Sequence, residues 1–94
     1  MKESSTIKVT INPDVLLEEL DNEAVLLSTK SEHYFGLDEM GLTFWKLLNE
    51  HKESALVLKA IVAEYDVDHN SASQDLVDFI QQLEQANLVT TDNT

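Results

Sequence analysis

With 94 residues and 10.6 kDa the chain reads as one domain, residues 1–94, since two cores would each fall below the ~50 residues a domain needs. It has no cysteine, which excludes a disulfide scaffold, a thiolate nucleophile and a Cys-ligated metal, and no apolar run longer than Ala24–Leu27, far short of the ~18 residues of a membrane span. Eighteen acids face six lysines with no arginine, a formal net charge of -12 that argues against nucleic-acid partners, which need clustered Lys and Arg.

Met1 to Thr6 is polar and is no signal peptide, so a cytoplasmic protein is expected. Thr6 to Ile11 alternates apolar and polar with period two, an extended N-terminal segment over 6–11 closed by Pro13. Asn12-Pro13-Asp14 has the form of a helix start, but a helix from Val15 to Leu20 would be barely two turns. With Asp21-Asn22 as a turn and Ala24 to Ser28 strand-like beyond it, the stretch 15–20 is assigned as strand, with helix as the alternative. Ser28 to Glu32 is a polar loop, and His33-Tyr34-Phe35-Gly36-Leu37 is short, aromatic and β-prone. Residues 15–37 therefore predict a three-stranded antiparallel meander whose last strand is an edge.

From Asp38, a plausible N-cap, the period becomes 3.6. Gly41, Phe44, Trp45 and Leu48 share one helix face. Gly41 in that stripe costs roughly 1 kcal/mol against alanine, which predicts the close approach of another backbone. Ser54 is expected to cap a second helix with the stripe Leu58, Ile61, Val62 and Tyr65. Asp66 to Asn70 is a polar link. Ser71 and Gln74 have capping-box spacing, and a third helix to about Ala86 carries Leu76, Phe79, Ile80 and Leu83 on one face. Asn87 suits a left-handed helix end, Leu88-Val89 is a short apolar tail, and residues 90–94 are expected to fray. Strands followed by helices give an α+β fold: a three-stranded antiparallel sheet followed by three helices, winged helix-turn-helix-like in outline.

No catalytic or metal motif emerges. Asp66-Val67-Asp68-His69-Asn70 opens like an EF-hand, but Ser71 and Val77 stand where the loop needs glycine and glutamate. His33, His51 and His69 have no metal-pair spacing, and the acid pairs Glu18-Glu19 and Asp38-Glu39 lack surroundings that would split their pKa values. No catalytic residue, cofactor or metal is expected, and the chain reads as no enzyme. What remains is main-chain chemistry, because an edge strand at 33–37 presents unpaired N–H and C=O groups to another extended chain. Stepping about 100° per residue from Leu76, Val77 falls at about 100°, off the core stripe. One edge of the third helix is then Ser73, Val77, Ile80 and Glu84, apolar in its middle. A groove between that edge and the last strand would suit a peptide's side chains; a core that is simply wide at this helix would give the same pattern.

The strings Glu23-Ala24-Val25-Leu26-Leu27, Tyr34-Phe35-Gly36-Leu37-Asp38-Glu39-Met40-Gly41 and Phe44-Trp45-Lys46-Leu47-Leu48 resemble the PqqD-like family, as do Leu76 to Leu83 and Asn87-Leu88-Val89. These are the RiPP recognition elements, which bind precursor peptides of ribosomally made natural products. The resemblance covers about residues 15–89. It implies a winged-helix-like fold in which the leader of the precursor adds as a strand to the third strand and fills the groove against the third helix. Carried onto this chain, the peptide-binding residues are Glu32, His33, Tyr34, Phe35 and Gly36 on the strand side and Ser73, Val77, Ile80 and Glu84 on the helix side. The family has glycine where Glu32 and Asn87 stand here. The Tyr34–Glu39 string is more similar to the stand-alone proteins of lasso-peptide clusters than to the member serving pyrroloquinoline quinone biosynthesis, and the length fits a separate subunit.

The function expected is a non-catalytic peptide chaperone that presents a precursor to a modifying enzyme or leader peptidase, with no nucleic-acid or membrane partner, as a monomer or as a dimer exchanging the segment Ile7–Ile11. The rival expectation is a winged-helix transcription regulator or structural adaptor. Against the regulator stand Asp75, Asp78 and Glu84 on the third helix and the absence of arginine.

Overall fold

A computed structural model describes residues 6–21 and 23–93. The elements run β1 (Ile7–Ile11), β2 (Val15–Leu20), β3 (Glu23–Ser28), β4 (Tyr34–Leu37), α1 (Glu39–His51), α2 (Ser54–Glu64), α3 (His69–Gln85) and β5 (Val89–Asn93). The expected antiparallel sheet is present in the order β2-β3-β4, followed by the three helices; β1 and β5 form a separate antiparallel pair.

Residues 15–20 are strand. All six pair with β3, from Val15 opposite Ser28 to Leu20 opposite Glu23, and this continuous ladder overrides the short helix signal at Asn12-Pro13-Asp14. Of the turn expected at Asp21-Asn22, Asn22 lies outside the described residues, and Asp21 has φ 47°. Along β3, Ala24, Leu26 and Ser28 point into the core while Val25 and Leu27 face outward, the alternation a half-covered sheet requires.

Asp38 caps α1, its Oδ1 accepting from the Gly41 N–H at 2.7 Å. Gly41, Phe44, Trp45 and Leu48 are buried, as their spacing predicts. A Cβ at Gly41 would lie 3.0 Å from Asp38 Oδ1 and 3.5 Å from the Phe79 ring, so the groups that approach it are side chains and not the backbone expected.

Four expectations are corrected. Ser54 begins α2 but does not cap it; its Oγ instead accepts the Ile7 N–H at 2.9 Å, tying β1 to the helix. The buried face of α2 is Val57 and Ile61, with Val62 and Tyr65 exposed, so the stripe sits one step round from the expected one. The third helix starts three residues early: Asp68 caps it by accepting from the Ser71 N–H at 3.0 Å, and Gln74 bonds Asp78 at 2.9 Å rather than closing a box with Ser71. Residues 90–93 do not fray but with Val89 form β5, paired with β1 from Ile11 opposite Val89 to Ile7 opposite Asn93. Thr94 lies outside the described residues.

The end of α3 is a Schellman motif. Asn87 takes φ 63°, its N–H bonds Glu84 O, and the Leu88 N–H reaches back to Leu83 O, each at 3.0 Å. That turn aims the chain at β1, where Val9 and Val89 are both 2% exposed and close one end of the core around Leu26, Leu48, Ile61, Leu76, Ile80 and Leu83. On its other side β1 meets the α1–α2 link through a Val9 N–H to Lys52 O bond of 2.8 Å and a bridge between Lys8 and Glu53. The segment that could have been exchanged between copies is thus held within the chain on both sides. Among the described residues no helix is long and apolar enough to cross a membrane.

Candidate functional site

Among the described residues, the strand β4 has a partner on one side only. Its pairing with β3 begins where the Ser28 N–H donates to His33 O at 2.9 Å, and the register then runs Leu27 opposite Tyr34, Leu26 opposite Phe35, Val25 opposite Gly36 and Ala24 opposite Leu37. Antiparallel ladders alternate, so the His33 C=O and the main-chain groups of Phe35 and Leu37 face β3, while Ser28 O takes the Glu32 N–H and the His33 N–H turns to Ser31 Oγ at 3.4 Å. The main-chain groups of Tyr34 and Gly36 face away, leaving two N–H and two C=O groups along the free edge. The N-terminal segment does not cover them, because β1 is engaged with β5.

The turn before this edge is braced from below. Asp14 Oδ2 accepts from Ser28 Oγ at 2.7 Å, Asp14 O accepts from the Thr29 N–H at 2.9 Å, and Ser28 Oγ accepts from the Ser31 N–H at 3.3 Å. The Ser28 hydroxyl, with help from the backbone and Lys30, holds the Asp14 carboxyl below its ordinary value of 3.8. Glu32 closes the turn in the left-handed region at φ 62°, the conformation in which glycine is free of strain.

Beside the edge lies a groove. Its strand side is Phe35, Gly36 and Leu37, and its helix side is Phe79 and Gln82 of α3. It continues past Asp38 and Gly41 to Met40, Phe44, Asp75 and Asp78, two adjoining cavities of about 250 and 320 Å³. Phe79 forms the floor: its ring meets Phe35 edge-on with centroids 6.4 Å apart and leans on Phe44 at 5.6 Å. Aromatic walls with an acidic rim of Asp38, Asp75 and Asp78 can accept apolar side chains and hydrogen-bond donors.

The expected strand residues gather at this place: Tyr34 is exposed, Phe35 half-buried on the groove side, Gly36 exposed on the edge, and Glu32 and His33 lead into it. The expected helix residues do not. Ile80 is 1% exposed and belongs to the core. Ser73 and Val77 line a different cavity, with Ile7 of β1 and Leu58 of α2. Glu84 accepts from the Thr91 hydroxyl at 2.7 Å and so holds β5. The physical reason is that an amphipathic helix has two flanks beside its buried stripe, and the one that meets β4 is the flank of Asp75, Asp78, Phe79 and Gln82. Phe79, Gln82 and Asp78 were therefore missed as site residues. The available signal was the position of Phe79 at about 300° on the wheel, the border of the stripe away from Val77.

The opposite edge of the sheet, β2, is charged rather than aromatic, with Glu18 and Glu19 exposed and Glu19 3.4 Å from Lys46. Among the described residues no cluster of three or more His, Asp or Glu side chains could hold a metal ion.

Comparison with known proteins bears on this architecture. The structure of TbiB1 in complex with the TbiA(β) leader peptide is similar at a TM-score of 0.77 and 39% sequence identity, over 85% of this chain and 93% of that one. Lasso peptide synthetase B1 complexed with the leader peptide shares the fold, with a TM-score of 0.74 and 24% identity, over 88% of this chain and 98% of that one. Adapter protein MecA of Pediococcus pentosaceus is 33% identical over 63 residues, which are 67% of this chain and 25% of MecA, so the chain spans about a quarter of that relative's length. The family model described as coenzyme PQQ synthesis protein D matches residues 23–89, from β3 through the first residue of β5, and the chain belongs to this PqqD family.

Proposed function

We propose that the chain is a non-catalytic peptide-binding protein: it takes the leader region of a ribosomally made precursor as a fourth strand on β4 and presents that precursor to a modifying enzyme or leader peptidase. The observation that carries this reading is the vacant edge of Tyr34 and Gly36 beside the Phe35–Phe79 groove. Support comes from TbiB1, 39% identical, whose structure is a complex with a leader peptide.

Energetics define what each part contributes. Micromolar affinity needs about -8 kcal/mol. Four main-chain bonds to Tyr34 and Gly36 supply ~1 kcal/mol each, and they are blind to sequence. Ordering an extended peptide costs several kcal/mol. Two or three apolar leader side chains in the groove, at ~1.5–3 kcal/mol each, must therefore decide both affinity and selectivity. The contribution to the pathway is effective concentration: a precursor held here meets its enzyme in one complex rather than by diffusion.

The test is titration of the TbiA(β) leader peptide into the isotope-labelled chain, followed by amide NMR. Saturable shifts at Tyr34 to Leu37 and along Asp78 to Gln82 are expected. Shifts confined to β2, or to the flank of Ser73 and Val77, would remove the β4 edge from the mechanism.

A further inference from the structure

We propose that the cavity between α2 and α3 is a second docking site, which receives an amphipathic helix of a partner protein carrying a carboxylate beside its apolar stripe. The cavity has a volume of about 720 Å³ and lies on the flank of α3 opposite the β4 groove. Its walls are Leu58, Val62, Leu76 and Val77, with Ile7 at one end. Val62 is 37% exposed and Leu56, also on α2, 43%, so this helix displays apolar surface that the other described elements leave uncovered.

Charge selects the guest. The chain has eighteen acids and six lysines, yet among the described residues no Asp or Glu lines this cavity; the ionisable lining groups among them are Lys59 and His69. At physiological salt the field of the remaining acids is screened within ~8 Å, so a segment seated here responds to Lys59 more than to the net charge of the whole.

Backbone chemistry selects its conformation. Two walls are helices whose main-chain groups are bonded internally. At the third wall, the Ile7 N–H is taken by Ser54 Oγ, and β1 lies between β5 and the α1–α2 link. The cavity thus offers side chains and no strand edge. A guest must satisfy its own main chain, which a helix does and an extended strand does not. Alongside the 11 residues of α2, a guest helix of about three turns would fit. This site is independent of the β4 edge, so a leader and a helical partner could be held together on the two flanks of α3.

The test uses two synthetic peptides of about 16 residues, long enough for helix to form. Both are net neutral with a leucine stripe; one carries a single flanking Glu and the other a Lys at that position. Each is titrated into the isotope-labelled full chain by NMR. Saturable shifts for the Glu peptide at Leu58 to Val62 and Ser73 to Val77, with Tyr34 to Leu37 unmoved, are expected. The Lys peptide should bind about fivefold more weakly, and Lys59→Glu should reverse that order. Val62→Asp, at an exposed position, should weaken both peptides about tenfold with the rest of the spectrum unchanged. No shift in the cavity at millimolar peptide, equal affinities for the two peptides, or an order that survives Lys59→Glu would overturn the proposal.

Discussion

Gly36 has no role that the free protein explains. A Cβ placed there meets nothing within 4 Å, and its φ is not in the left-handed region, so neither packing nor turn geometry asks for glycine. Glycine inside a strand weakens it and marks a place where another backbone comes close. Gly36→Val is therefore expected to keep or slightly raise the melting temperature while weakening leader affinity, measured by calorimetry, by about tenfold, because the branched side chain crowds a strand laid along the edge. Unchanged affinity with a stable fold would place the guest elsewhere. Asp14 acts one turn upstream. Its carboxyl titrates below the ordinary 3.8 because the ionised form accepts from the Ser28 hydroxyl. The stabilisation it gives is complete above the unfolded-state value and disappears as pH falls through the lower folded value. Thermal melts of wild type and Asp14→Asn should therefore differ at pH 6 and converge toward pH 2; a gap that widens on acidification would contradict the assignment.

Among the elements, α3 carries the most consequential choice. Phe79 and Val77 stand on opposite borders of one buried stripe, and only the first touches β4. Phe79→Leu, which keeps apolar volume but removes the ring that meets Phe35, should weaken leader binding about tenfold. Val77→Asp and Glu84→Ala should leave it within twofold. Equal losses across the three would mean the guest spans both flanks. The same element shows what was legible in the sequence and what was not. The period of 3.6 identifies Leu76, Ile80 and Leu83 as buried, and they are. A helical wheel holds no information about which flank a distant strand approaches; the apolar Val77 lies on the flank that faces α2 and β1. The strands 15–20 and 34–37 were legible because alternation and aromatic content are local. β5 was not: Thr90, Thr91 and Asp92 have no apolar alternation, and they are strand because β1, some eighty residues earlier, is there to pair with them. Glu32 and Asn87 stand where the family usually has glycine, and both adopt positive φ; the left-handed end at Asn87 was expected, and the one at Glu32 was not.

At the scale of the whole molecule, the two sheets divide the work. The β1–β5 pair spends the N-terminal strand on closing the core, and that leaves β4 without an internal occupant. Were β1 free, it would be the nearest extended segment able to lie on β4, tethered to the chain and so present at high effective concentration. Its retention is then a condition for binding a guest. The ladder can be weakened selectively. The Asn12 N–H bonds Leu88 O, so by alternation Thr10 pairs with Thr90 and Lys8 with Asp92 through hydrogen bonds. Thr90 is exposed, and Thr90→Pro deletes one main-chain donor of the ladder without emptying the core. It should lower stability by about 1 kcal/mol or somewhat more, read from denaturant midpoints, and leave leader affinity within twofold, because Ser54 and Lys52 still hold β1. A fall in leader affinity well beyond that, accompanied by amide shifts at Tyr34 and Gly36 in the absence of peptide, would show β1 moving onto the vacant edge and competing with the guest. The architecture would then be a switch between two occupants of β4 rather than a fixed open edge.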